Sequence, residues 1–346
     1  MIHIEINEKQ ISEIKALWSK WFFKSDRMKQ FMERLEKDNN FRSFFFKNAE
    51  DYYEWVDKYF KCSSSQDKCE WQKPIVEYFF KDLSGKNIAE KYKQPLETNT
   101  EAFLLRSYNS YRSSYTLPRI IDIINVQVCP YCNRNFMERY SLKKNGSNQS
   151  YFKGDLDHHY SKDEIPALML SFYNLIPCCK VCNHEKGNSG LRPFHPYYDY
   201  EEKEYRFSVE VYTEEDKKDI IHNMLIDDIE SKRFDSTVWQ GISDNFKIIL
   251  KGIDETELND CIKNSNTLFK LEKKYNHSKD YVKELIRKKY IYPKIRKEEL
   301  LKNFPDIFKD KTDLYETFYS FVDNPEQIRN RPLAKLTKDI LEQIRV

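Results

Sequence analysis

At 346 residues the chain is long enough for two domains, or for one large domain with additions. Its 24 Tyr and 23 Phe supply a substantial core, and 33% charged residues with only 7 Gly point to a largely helical soluble protein and exclude a disordered one. Lys and Arg number 58 against 56 Asp and Glu, so no global charge argues for nucleic acid and any basic surface must be local.

From the start, MIHIEINEKQ carries acids and no apolar run, unlike a signal peptide. Residues 8–60 read as helices: Ile11, Ile14, Leu17 and Trp18 recur at helical spacing, as do Phe31, Met32 and Leu35, then Tyr52, Tyr53, Val56, Tyr59 and Phe60. Further helices are predicted over 75–82 and 100–112, separated by the polar stretch at Ser84, Gly85 and Lys86. Residues 1–120 contain no catalytic motif and read as a helical packing or partner-binding domain.

The character changes near residue 125. Asn145-Gly146 is a turn signal between two strand-like runs, predicting a hairpin whose second arm ends at Asp157-His158. A helical-looking ALMLSFY (167–173) precedes NLIPCC, and KVCNHEKGN reads as a turn into a short helix. Strand, strand and helix around one metal site is the expected core over 125–195. YRFSVEVY (205–212) alternates as a strand, and helix is predicted from Glu215 onward, best over Lys279 to Arg287, with a last helix starting near Leu333. The whole is read as α+β and mostly helical, with residues 200–346 a mainly helical region for nucleic-acid or partner binding. No stretch reaches the roughly eighteen apolar residues of a membrane span.

Eight Cys without secretory features suggest reduced thiols or metal ligands, and a cytoplasmic location is expected. Cys129-Pro-Tyr-Cys132 and Cys179-Lys-Val-Cys182 are two Cys-x-x-Cys knuckles. In each, a tight turn offers two thiolates to one ion, and two together complete the closed tetrahedral site of structural Zn2+. Cys178 can compete with Cys179, but only 179–182 has the two-residue spacing. Cys62 and Cys69, seven apart in a polar loop, and Cys261 read as isolated. A redox pair would need a βαβ setting that the surrounding pattern lacks.

The knuckles bracket Asp157-His158-His159. Hydrolysing a phosphodiester requires a base for water, a hard cation for the developing charge, and a frame that aligns them. A neutral His serves as base near pH 7, while carboxylate and amide oxygens suit Mg2+. Asp157, His158 and, just after the last knuckle Cys, Asn183 supply these groups. Neighbouring residues on a strand face opposite sides, so Asp157 and His158 are expected at a bend.

GDLDHHYSK followed by NLIPCCKVCNHEKGN resembles the HNH (His-Me finger) endonuclease motif with its zinc knuckles. The resemblance covers about 125–190, under a fifth of the chain. It is most similar to the nuclease subunit of Septu-type and retron-associated anti-phage systems, although His159 and Ser161 stand where that subtype has an apolar or aromatic residue and a Pro. The resemblance implies Asp157 and Asn183 as ligands of a catalytic Mg2+ or Mn2+, His158 as general base, and Asn174 as the middle Asn bracing the loop that bears it. It implies 5′-phosphate products, DNA in preference to RNA, and a role in anti-phage defence; the large helical flanks, which the chemistry does not need, suggest an effector subunit controlled by an ATPase partner. His159 remains an alternative base, and His184 an alternative to Asn183.

Arg134, Arg139, Lys143 and Lys144 lie near the expected cleavage site, and Lys186 and Asn188 are close enough in sequence to meet phosphate. The stretch 283–297, basic with interleaved Tyr, suits either unpaired bases or a solvated helix face. His195, in RPFHPYYDY, reads as a packing residue. The rival to a nuclease is a zinc-stabilised nucleic-acid- or protein-binding module without activity, which would have no need of the Asp-His pair and Asn183.

Overall fold

A computed structural model describes residues 1–61, 67–84, 91–144, 146–199, 205–212, 221–223, 235–253 and 258–344. The chain is α+β and mostly helical. It divides into two units, one of Ile4–Gln127 and Met137–Arg192, the other of Met1–His3, Val128–Phe136 and Pro193–Val346. No helix among the described residues is long and apolar enough to cross a membrane.

The first unit begins with α1 (Glu8–Phe22), α2 (Ser25–Lys37), α3 (Asn39–Ser43), α4 (Ala49–Lys61) and α5 (Asp67–Phe79). Asn7 and Gln10 form a capping box that satisfies the first exposed amides of α1. One face of α1 buries Ile14, Trp18, Trp21 and Phe22. Trp18 stacks on Phe22 at 4.6 Å and Phe22 meets Phe79 at 5.3 Å, an aromatic core in which each ring contributes roughly 2–3 kcal/mol by burial. Cys69 lies on α5, not in a loop, while Cys62, Gly85 and Lys86 fall outside the described residues.

Next come α6 (Thr98–Arg112) and α7 (Thr116–Ile124). The left-handed Asn125 ends α7, its amide bonding Ile121 O at 3.0 Å. The hairpin follows as β1 (Arg139–Lys144) and β2 (Ser147–Phe152), antiparallel, with Lys144 opposite Ser147. Gly146 adopts φ +78°, as a two-residue hairpin turn demands; its neighbour Asn145 lies outside the described residues.

Two expectations fail in the next segment. The second arm of the hairpin stops at Phe152, and Asp157 belongs to a separate strand, β3 (Asp155–His158), paired antiparallel with β4 (Leu175–Cys178). The chain bends at Gly154, where a Cβ would collide with the Phe152 ring and lie 3.0 Å from Cys178 O. Nor is the ALMLSFY segment an α-helix. It forms two 3-10 turns, Pro166–Leu168 and Phe172–Asn174, because Leu168 O and Met169 O are bound to side chains instead of continuing a helical ladder. After β4, the Cys179 sulfur accepts the Cys182 amide at 3.5 Å and caps α8 (Lys180–Lys186).

The second unit holds a three-stranded antiparallel sheet, β5 (Tyr205–Tyr212) between β6 (Ile221–Asn223) and β7 (Phe246–Gly252). Helix from Glu215 is therefore overturned: 213–220 and 224–234 lie outside the described residues, and β6 and β7 occupy the stretch. In β7 the alternation of Phe246, Ile248 and Leu250 toward the core specifies strand. The helices are α9 (Asp260–Phe269), α10 (Leu271–Asn276), α11 (Lys279–Ile291), α12 (Lys294–Asn303), α13 (Lys311–Tyr319), α14 (Pro325–Ile328) and α15 (Ala334–Gln343). Beyond the short β6, side chains of α15 satisfy the backbone of β5. Asp339 accepts the Phe207 amide at 2.8 Å, and Gln343 exchanges bonds with Val209 at 2.8 and 3.0 Å.

Candidate functional site

The Cys129–Cys132 knuckle is shaped by its own backbone. The Asn133 amide bonds Cys129 O at 2.8 Å, and Asn133 sits at φ +46°, a conformation that Asn tolerates. Its buried amide side chain reaches Ile328 O and Arg331 O, each at 3.3 Å, and accepts the Lys335 amide at 3.0 Å. Tyr131 stacks on Phe269 at 4.6 Å, and the Tyr275 hydroxyl donates to Cys132 O at 2.6 Å. The Cys179–Cys182 knuckle opens α8.

The sulfurs of Cys129, Cys132, Cys179 and Cys182 are buried and lie within 4.8 Å of one another. Tetrahedral zinc with bonds of about 2.3 Å needs sulfurs about 3.8 Å apart, so the group can hold a metal such as zinc after small adjustments. Cys178 stands outside the group. It is buried on β4 opposite Asp155, and burial first, then the nearby Asp157 carboxylate, push its thiol well above the usual range. It is the Cys179 sulfur, not that of Cys178, that lies with the other three.

The second cluster grows from β3. Strand alternation sets Asp155 and Asp157 on one face and Leu156 and His158 on the other. The bend expected between Asp157 and His158 is therefore absent: both pair regularly with β4, opposite Ile176 and Leu175, and their side chains face opposite ways. On α8, Asn183 and Lys186 are three residues apart and so share a helix face. The two faces meet in pairs: Asn183 Nδ2 donates to Asp155 Oδ2 at 3.0 Å, and Lys186 Nζ stands 3.0 Å from Asp157 Oδ1. Lys186 Nζ also donates to His158 O at 2.6 Å, and the side chains of Lys186 and Asp157 are only 2% and 4% exposed. Arg112, from α6, completes the group with a 2.6 Å contact to Asp155 Oδ1.

His158 lies on the other face of β3, half-buried, its ring 4.5 Å from that of Tyr108. Its Nε2 is 3.0 Å from Met169 O. A carbonyl can only accept, so Nε2 carries the proton and Nδ1 the lone pair. Loss of water around the ring lowers its pKa to about 4, outweighing the bond to Met169, and Lys162 and Lys186 add to the lowering. The imidazole is therefore neutral at physiological pH.

Asn174, fully buried, ties down the segment after His158. Its Oδ1 accepts the Tyr160 amide at 2.7 Å, and its Nδ2 donates to Tyr160 O at 3.1 Å and Leu168 O at 3.0 Å. Its own carbonyl accepts the His159 amide at 2.9 Å. His159 is buried and His184 exposed.

The expected phosphate contacts divide. Lys143 is exposed on β1. Arg139 is half-buried, bonded to Asp122 at 3.2 Å and Ile121 O at 3.3 Å. Arg134 bonds Ser278 at 3.1 Å and lies over the Tyr275 ring at 5.4 Å. Lys186 is turned inward to Asp157, away from any surface, because a buried carboxylate demands a counter-charge. In the basic stretch 283–297, Lys283 pairs with Asp280, Lys288 with Glu284 and Arg296 with Glu299, while Lys297 is buried against Tyr315 and Tyr319. Part of this basic stretch is thus neutralised within its own helices.

Asp155 and Arg112 were not singled out from sequence. The signal for Asp155 was its spacing two residues before Asp157, which on a strand means a shared face; Arg112 lies 43 residues away from Asp155, and nothing local announces it. Comparison with protein-family models, curated proteins and solved structures gives no match.

Proposed function

We propose that the chain is a metal-dependent endonuclease of the HNH type that hydrolyses nucleic-acid phosphodiesters, DNA in preference to RNA, as the effector of an anti-phage defence system. The observation that carries this proposal is that Asn183, on a helix opened by a Cys-x-x-Cys knuckle, bonds Asp155 on the β3 face it shares with Asp157, while Asn174, in the turn before β4, braces the segment that follows His158. The resemblance supplies both the reaction and the roles; the local geometry adds the neutral, anchored imidazole of His158 and the brace of Asn174.

In this mechanism His158 is the base. Neutral above about pH 4, with Nε2–H anchored on Met169 O, it offers Nδ1 to a water without first losing a proton. Asn174 holds the loop that follows it, so the ring keeps its direction. A divalent ion, when bound, stabilises charge on the phosphate and the leaving oxygen. Asp157 and Asn183 would hold it, and their oxygens suit a hard cation such as Mg2+ or Mn2+. Asp157 is held by the Lys186 ammonium, which an ion on that carboxylate would have to displace. Asp155 bonds Asn183 and orients it, as outer partners of metal ligands do. The four-cysteine group would do no chemistry; a zinc held there would support the start of α8.

A binding module without activity is the second reading, favoured by one observation: both carboxylates are already matched by a basic side chain, Asp155 by Arg112 and Asp157 by Lys186. Plasmid and RNA cleavage assays with Mg2+, Mn2+ or neither, on wild type and His158→Ala, alone and with any co-purifying ATPase, separate the two. The nuclease assignment expects divalent-dependent cutting lost by about 100-fold or more in His158→Ala. Cutting that His158→Ala leaves intact, or none under every condition with the partner present, would sink it.

A further inference from the structure

Four charged side chains meet on one face of β3: Arg112 and Lys186, Asp155 and Asp157. Their charges sum to zero. The cluster is thus electrically complete without any ion, and a dication added to it would leave an excess of two positive charges in a site where the Lys186 side chain is 2% exposed. Burial weakens screening, so such an excess is strongly disfavoured. Water cannot relieve it while the ammonium remains in place.

We propose that Lys186 is a built-in competitor for the divalent ion, its ammonium and the ion taking turns on the Asp157 carboxylate. The inference rests on the nuclease assignment and adds a residue that sets how tightly the metal binds. Lys186 is the group suited to leave. Arg112 is half-exposed and holds Asp155, which carries Asn183 rather than the proposed shared ligand Asp157. Lys186 is the last residue of α8, followed by Gly187 at φ +50° and the exposed Asn188. A lysine at a helix end can swing its four-carbon stem outward without breaking the helix's internal hydrogen bonds. Departure would also release His158 O from its 2.6 Å bond to Lys186, coupling ion binding to the backbone of the proposed base. The protein would then bind metal weakly at rest, since each ion must first displace an internal cation.

The test uses the full-length, zinc-loaded protein and Mn2+ as probe. Mn2+ binding is followed by electron paramagnetic resonance, and Lys186 acylation by an amine-reactive reagent is followed by mass spectrometry. Lys186 should be protected without Mn2+ and become labelled about tenfold faster on saturation, with the midpoint of the binding curve. Lys186→Met should bind Mn2+ about tenfold more tightly. Asp157→Asn should leave Lys186 reactive without Mn2+ and insensitive to it. Mn2+ binding that depends on Asp157 while Lys186 stays protected overturns this inference and leaves the nuclease assignment standing. Absence of Asp157-dependent Mn2+ binding overturns both.

Discussion

Asn174 and Tyr160 exchange two hydrogen bonds, the Tyr160 amide donating to Oδ1 at 2.7 Å and Nδ2 donating to Tyr160 O at 3.1 Å. A third bond, to Leu168 O at 3.0 Å, makes this one amide the brace for both sides of the loop between β3 and β4. Asn174→Ala leaves three backbone groups without that partner, in or near the interior. A loss of about 3 kcal/mol is expected, read from denaturant unfolding. Asn174→Asp keeps one acceptor, buries a charge, and should not restore stability. A loss below about 0.5 kcal/mol for the alanine variant would mean that the loop holds itself.

The four-cysteine group makes a separate prediction about metal content. Purified protein should carry about one zinc per chain, and Cys132→Ser should lose it, with a fall in Tm of about 10 °C or more. Cys178→Ala should keep the zinc and lose only about 1–2 kcal/mol, as for a small buried side chain. Elemental analysis beside thermal melts checks both. Zinc lost from Cys178→Ala but kept in Cys132→Ser would reverse the ligand assignment.

What the sequence discloses here follows the range of the physics. Spacing within a few residues marks helices such as Lys279–Ile291, the strand Tyr205–Tyr212 and both cysteine knuckles, because periodicity and ligand spacing are local properties. The strand that carries Asp157 is not assigned to its partner by any local pattern: its ladder with Leu175–Cys178 depends on a bend at Gly154 and on a contact between distant segments. The run at 167–173 has helical composition, yet Asn174 and His158 take the carbonyls of Leu168 and Met169, and tertiary bonds override propensity. The pairing of Asp157 with Lys186 was equally hidden, since a lysine at a helix end reads as solvated until a carboxylate is seen beneath it.

Asp155 is expected to act through Asn183 and not on the substrate. Asp155→Ala removes the acceptor of the Asn183 amide and the partner of Arg112. Mn2+ affinity should fall about 10–100-fold, with the loss in cleavage recovered by raising Mn2+ rather than substrate. Asp155→Glu, which retains a carboxylate, should recover part of it. Unchanged Mn2+ affinity in Asp155→Ala would leave the Asp155–Asn183 bond a packing detail.

His158 gives stability a pH dependence of definite sign. Its folded-state pKa, lowered to about 4 chiefly by burial, lies below the unfolded value near 6.5. Between the two the unfolded chain binds a proton that the folded chain refuses, so His158 favours unfolding progressively as pH falls through that window. Above it both states are neutral and the contribution vanishes. The cost at the acidic end is about 3 kcal/mol at most. Unfolding free energies from pH 7 to 4, in buffer without added divalent ions, should therefore fall more steeply for wild type than for His158→Gln, which has no proton to refuse. An imidazole titrating near 6.5 by NMR, or parallel curves for the two proteins, would show that the ring is solvated and would remove the case for a base that stays neutral in mild acid.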